Sequence, residues 1–180
     1  GAPAVTASLI GVGNTLEALL AVALLRRVPW FNPRLERVND TLIFALVAAV
    51  APVISASVGV AALRSADLVA TTEVWRAWRA WWLGDAIGAL IVAPLMLAWA
   101  LHGIRDLSSR IAEAVTLCAS LAAVSLIVFF ARTPLQGTAF LQAYLVFPLL
   151  IWSTTRFTLR GAATAILVTC VLAVGGTSRG

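Results

Sequence analysis

From Trp81 to Leu101 the chain runs for 21 residues, WWLGDAIGALIVAPLMLAWAL, with one charge, Asp85. At about 1.5 Å per residue, a helix of that length crosses the hydrocarbon core of a bilayer. Hydrocarbon offers no partner for backbone N–H and C=O groups, so only helices and closed barrels can span it. A barrel would show short alternating segments. The apolar runs here are continuous and close to the length of a helical span, so the chain reads as an all-α, polytopic transmembrane helical bundle.

Composition agrees. The chain is 61% hydrophobic and 12% charged, with a mean hydropathy of +0.97. Soluble domains have about twice that share of charged residues. Net charge is +5 and all thirteen basic residues are arginine. In a soluble domain that would raise the question of nucleic acid. Here the arginines cluster at the ends of apolar runs, where they serve as topology anchors, and nucleic acid is not expected as a partner.

About six spans follow from apolar length. They run from about Ala4 to Leu25, Thr41 to Leu63, Trp78 to Leu101, Ile111 to Phe130, Thr138 to Trp152 and Gly161 to Val174. The first loop holds Arg26, Arg27, Arg34 and Arg37, the third Arg105 and Arg110, and the fifth Arg156 and Arg160. These alternate loops carry eight arginines. The second loop (Arg64, Arg76, Arg79) and the fourth (Arg132) carry four. The positive-inside rule then makes the first, third and fifth loops cytoplasmic. Neither end resembles a natural terminus: the chain starts at Gly1 without a signal-peptide pattern and stops after GGTSRG. Residues 1–180 are therefore expected to be one integral membrane domain, as a piece of a longer polypeptide.

Two acids, Glu17 and Asp85, lie inside spans, where an unpartnered carboxylate is costly. Asn14 precedes Glu17 by three positions and shares its helix face. Counted from the outer ends of their spans, Glu17 lies about 20 Å down and Asp85 about 10 Å, so a direct carboxylate pair is not expected. Arg76 and Arg79 are poorly placed around the helix to reach Asp85, and any partner should come from another element. Trp78, Trp81 and Trp82 share a helical face with Asp85. They fit an interfacial aromatic belt and also the wall of a pocket above the acid. Gly84 and Gly88 form a small-xxx-small pair suited to close helix contact, and Ser55 with Gly59 gives the second span a small polar face to meet it. Pro52, Pro94 and Pro148 are expected to kink the second, third and fifth spans. The carbonyls of Ala48, Leu90 and Tyr144 are those they would free.

Soluble catalytic signatures are absent from the sequence. There is no G-x-x-x-x-G-K-[ST], no G-x-S-x-G and no H-E-x-x-H. One histidine, His102, and no lysine leave few groups for acid–base or Schiff-base chemistry. Cys118 and Cys170 lie in apolar spans without metal-ligand or C-x-x-C spacing and read as packing residues. No catalytic residue, metal site or cofactor is expected.

Gly13 to Arg27 (GNTLEALLAVALLRR) and Trp81 to Trp99 (WWLGDAIGALIVAPLMLAW) resemble the hallmark segments of the MASE1 family of membrane-associated sensor domains. Ala51 to Val60 (APVISASVGV) and Leu145 to Ala163 (LVFPLLIWSTTRFTLRGAA) fit the same family in the same order. The resemblance implies a multi-pass sensory input domain of the bacterial inner membrane, covalently linked to a cytoplasmic output such as a histidine kinase or diguanylate cyclase. Relative to the family's full length, upstream spans, the last span and the output domain are missing. Sensing or ligand-binding candidates are Asn14, Glu17, Asp85, Trp81 and Trp82; helix-packing candidates are Gly84, Gly88, Ser55 and Gly59. The partners expected are the lipid bilayer, an unidentified ligand or membrane protein and, as an open arrangement, a second copy in a homodimer. A small-solute permease or transporter half is the alternative that buried acids and broken helices would also fit.

Overall fold

The computed structural model describes residues 2–101, 111–130, 144–157 and 159–177. His102, Arg105, Arg110, Arg132, the start of the expected fifth span at Thr138 and residues 178–180 lie outside the described residues. Every regular element among the described residues is helical. They are α1 (Ala2–Arg26), α2 (Val38–Val50), α3 (Pro52–Ser65), α4 (Val74–Leu101), α5 (Ile111–Phe130), α6 (Phe147–Arg156) and α7 (Leu159–Thr177). Among the described residues, four stretches are long and apolar enough to cross a membrane: Ala4–Arg26, Val38–Ser65, Thr71–Leu101 and Ile111–Val128. The chain is an all-α membrane protein with several spanning-capable helices.

The chain divides into two compact units, Gly1–Leu90 and Ile91–Gly180, with the boundary inside α4. In the first unit α1 packs most closely along α3. Gly13 permits this approach, because a Cβ there would lie 3.1 Å from the Cβ of Val58. Proline divides the second span into α2 and α3. Pro52 has no N–H, so the Ala48 carbonyl loses its helical partner. The ladder ends with the Ala51 N–H on the Val47 carbonyl at 2.9 Å and resumes with the tighter Ile54-to-Ala51 bond at 3.2 Å. Ala51 keeps helical dihedrals, φ −60° and ψ −41°, so the two pieces continue as one crossing. Val38, Leu42, Leu46, Val50 and Val53 form an exposed apolar stripe along it. On a soluble protein such a stripe would be a liability, but on a span it meets lipid.

The other two prolines act differently. α4 runs unbroken through Pro94. Pro148 lies in the first turn of α6, not deep in a span as expected. No helical N–H is needed there, so proline starts the helix instead of bending it. α6 itself has only ten residues; the remainder of the expected fifth span precedes Tyr144 and is not among the described residues.

The first loop is folded around a buried acid. Asp40, in the first turn of α2, is fully buried. Its Oδ1 accepts the Asn32 N–H at 3.1 Å, and the Asn32 side chain accepts the Arg34 N–H at 3.0 Å. Leu35 is held at φ 54°, a left-handed conformation that is costly for leucine. Its side chain is buried and its N–H bonds the Asn32 carbonyl at 3.0 Å.

In the second unit α5 packs on α7 around Leu121, Val146 and Ala165, with Val124, Leu149, Leu150 and Val168 at the edges. Arg156 reaches across to Glu113 at 2.6 Å. Arg160 donates to the Ala98 carbonyl at 2.9 Å and lies 5.3 Å above the Trp99 ring. A cation at the C-terminus of α4 suits the negative end of its dipole.

Candidate functional site

The first unit brings three polar side chains together from three helices inside apolar spans. Ser55 on α3 is buried, and its Oγ lies 3.0 Å from Asp85 Oδ2 on α4. The same Oγ lies 3.1 Å from the Pro52 carbonyl. Glu17 on α1 is close enough to interact with both the Ser55 hydroxyl and the Asp85 carboxyl. Glu17 and Asp85 are each half-buried.

This overturns the sequence expectation that the two acids lie at separate depths. α4 begins at Val74, about one turn before the Trp78 start expected from apolar length. Asp85 therefore lies about 16 Å along its helix, not about 10 Å. Ser55 lies about 15 Å from the end of α3 at Ser65, which puts hydroxyl and carboxyl at one level. Trp75 and Arg76 are amphipathic or charged, and hydropathy alone left them in the loop before Trp78.

Tryptophans fasten α4 to the broken span. The Trp82 indole N–H donates to the Ala49 carbonyl at 2.7 Å, beside the Pro52 break. The Trp78 N–H donates to the Ser57 hydroxyl at 3.1 Å, and Ser57 donates to the Val53 carbonyl at 2.6 Å. Trp81 lies against Gly59 so closely that a Cβ on Gly59 would be 2.6 Å from its ring. Only glycine fits there without moving the indole. Trp75, Trp78 and Trp82 stack in sequence, with ring centroids 5.2 and 6.1 Å apart. Trp81 and Trp82 thus flank Asp85 and hold its helix in register.

Other expected residues fall elsewhere. Asn14 is exposed on α1 and is not part of the Glu17–Ser55–Asp85 group. Gly84 and Gly88 do not make the expected close contact to any described residue: a Cβ on either would meet nothing within 4 Å. The reason is geometric. α4 turns its tryptophan face to α3, so the close approach falls at Gly59, where a side chain reaches across. Sequence reading missed Asp40, although an acid in the first turn of a helix after a proline-containing loop is a recognisable start signal. It also missed Arg160 as the cap of α4, since the two are 60 residues apart in sequence.

Among the described residues, no group of three or more His, Cys, Asp or Glu side chains is placed to hold a metal ion. The three-residue group offers two carboxyls and a hydroxyl between helices, an arrangement suited to holding a proton or a polar ligand and to changing helix contacts when either leaves.

The chain is similar to the probable diguanylate cyclase DgcE of Escherichia coli (strain K12), 37% identical over 90 residues. The matched segment is 49% of this chain and 8% of that protein. No solved structure matches the chain. The MASE1 profile matches residues 1–180. Spanning-capable helices, acids kept within them and a profile match over the full length agree: the chain belongs to the MASE1 family of membrane sensor domains.

Proposed function

We propose that this domain is a multi-pass sensory input module of a bacterial inner membrane, which relays a membrane or periplasmic signal to a covalently linked cytoplasmic output. The observation that carries this reading is the convergence of Glu17, Ser55 and Asp85 from α1, α3 and α4. A polar group shared by three helices in an apolar setting favours one packing of those helices over another. A stimulus that binds one packing better shifts the balance between them, and nothing more is needed for a signal. Similarity to a probable diguanylate cyclase supports a cyclase as the output class, with the sensing chemistry confined to the membrane domain.

The test uses the full-length protein with its output domain. Asp85→Asn and Glu17→Gln are compared with wild type for membrane abundance and for output across stimulus conditions. The expected result is normal abundance with output fixed high or low in both variants. Normal abundance with a normal response in both would remove these acids from sensing.

A further inference from the structure

The two loops that flank the α2–α3 crossing differ in what their arginines touch. Around the α3–α4 loop each arginine is engaged within the protein. Arg64 lies 3.1 Å from Asp67 and Arg76 lies 3.6 Å from Glu73. The Arg79 guanidinium lies 5.6 Å from the centre of the Trp75 ring. Around the α1–α2 loop, Arg34 lies 3.9 Å from Glu36. Arg26, Arg27 and Arg37 are exposed and, among the described residues, have no carboxylate within ion-pair distance. The buried Asp40 does not neutralise them. Its Oδ1 accepts the Asn32 N–H at 3.1 Å, and its Oδ2 bonds nothing among the described residues.

This unpaired charge stands on a fixed backbone. The N–H groups of Val28, Phe31 and Leu35 donate to the carbonyls of Leu25, Val28 and Asn32 at 3.2, 3.1 and 3.0 Å. The Arg34 N–H donates to the Asn32 side chain at 3.0 Å. Pro29 and Pro33 fix φ at two more positions. A partner that meets these arginines therefore has little loop backbone to order. The loop also lies at the right depth for a headgroup. It joins the spanning-capable stretches Ala4–Arg26 and Val38–Ser65, so it sits at a membrane surface, whichever surface that is. Trp30 is 56% exposed within it, and tryptophan favours the membrane–water interface. Guanidinium forks match phosphate oxygens in pairs, and anionic leaflets attract basic segments beside a span.

We propose that the α1–α2 loop is a binding surface for anionic phospholipid headgroups, with Arg26, Arg27 and Arg37 on the phosphates and Trp30 in the interface beside them. The α3–α4 loop lacks this preference because its arginines are already engaged. Lipid held here ties the end of α1 and the start of α2 to one membrane surface. It does not depend on the Glu17–Ser55–Asp85 group, so failure here leaves the sensory reading untouched.

Photocrosslinking of the full-length protein in lipid nanodiscs tests the surface. The probes are phosphatidylglycerol and phosphatidylcholine, each with a diazirine at the top of one acyl chain, and the labelled peptides are mapped. Phosphatidylglycerol should label residues 26–38 well above phosphatidylcholine, and the two should label residues 64–79 equally. Arg26→Gln, Arg27→Gln and Arg37→Gln together should abolish the preference. Should that variant fail to insert, Arg37→Gln alone, which removes no capping hydrogen bond, should lower it about fivefold. Equal labelling of residues 26–38 by the two lipids, an equal preference at residues 64–79, or a preference unchanged in these variants would each overturn the proposal. So would displacement of the label by inorganic phosphate but not by sodium chloride of the same ionic strength, which would mark a site for soluble anions.

Discussion

At Gly59 a single missing methyl decides how α4 meets α3. A Cβ there would lie 2.6, 2.8 and 2.9 Å from three ring atoms of Trp81. Gly59→Ala must push the indole away, and overpacking of this kind costs about 1–3 kcal/mol. Thermal unfolding of the purified full-length protein should show the loss. Gly88→Ala, on the open side of α4, is expected to leave stability unchanged; an equal loss there would show another helix seated on that face. Asp40 is the second residue whose environment fixes an outcome. Its Oδ2 is buried without a hydrogen-bond partner among the described residues, while its Oδ1 holds the Asn32 N–H. Asp40→Asn keeps an acceptor for that N–H and should preserve the loop. Asp40→Ala leaves the donor unmatched, at about 1–3 kcal/mol if it stays buried. Limited proteolysis within residues 27–37 should then be faster in Asp40→Ala than in Asp40→Asn.

At the level of elements, the proline break and the ends of α4 govern what neighbours can do. Arg160 bonds two carbonyls at the end of α4, Ala98 at 2.9 Å and Trp99 at 3.4 Å, and covers the Trp99 ring. Arg160→Ala removes a charge from a helix C-terminus, a loss of about 0.3–1 kcal/mol. Hydrogen exchange of the amides in residues 98–101 should accelerate, while exchange in residues 78–85 should not. How far these elements could be read from sequence depended on what terminates them. Spans bounded by arginine or proline, such as α1 at Arg26 and the crossing broken at Pro52, follow from composition and backbone chemistry. The start of α4 does not, because Trp75 and Arg76 lower hydropathy without breaking a helix. That one-turn difference at Val74 hid the meeting of Glu17 and Asp85. The candidate residues were legible because charge in an apolar run is rare; their partnership was not, because it depends on helix ends and on which face of α4 turns to α3.

For the molecule as a whole, one question joins sequence to function: which side of the membrane each end of the three-helix polar group faces. Arg26, Arg27, Arg34 and Arg37 crowd the loop between α1 and α2. Arg34 lies 3.9 Å from Glu36. Among the described residues, Arg26, Arg27 and Arg37 have no carboxylate within ion-pair distance, which leaves them free for anionic headgroups. The loop is also ordered by Asp40 and Asn32, so its arginines are presented on a fixed scaffold. The arginine bias predicts that this loop is cytoplasmic. Glu17 lies nine residues before Arg26, about 14 Å from that end, and Asp85 about 16 Å from the start of α4 at the opposite face. The polar group would then lie within the bilayer, reachable from the outer side past the stacked tryptophans. A fluorescent protein inserted in the loop at residues 27–37 of the full-length protein should fold and emit, whereas alkaline phosphatase at the same point should be inactive. Phosphatase activity there would invert the orientation and put the tryptophan column, and with it the entrance to Asp85, on the cytoplasmic side.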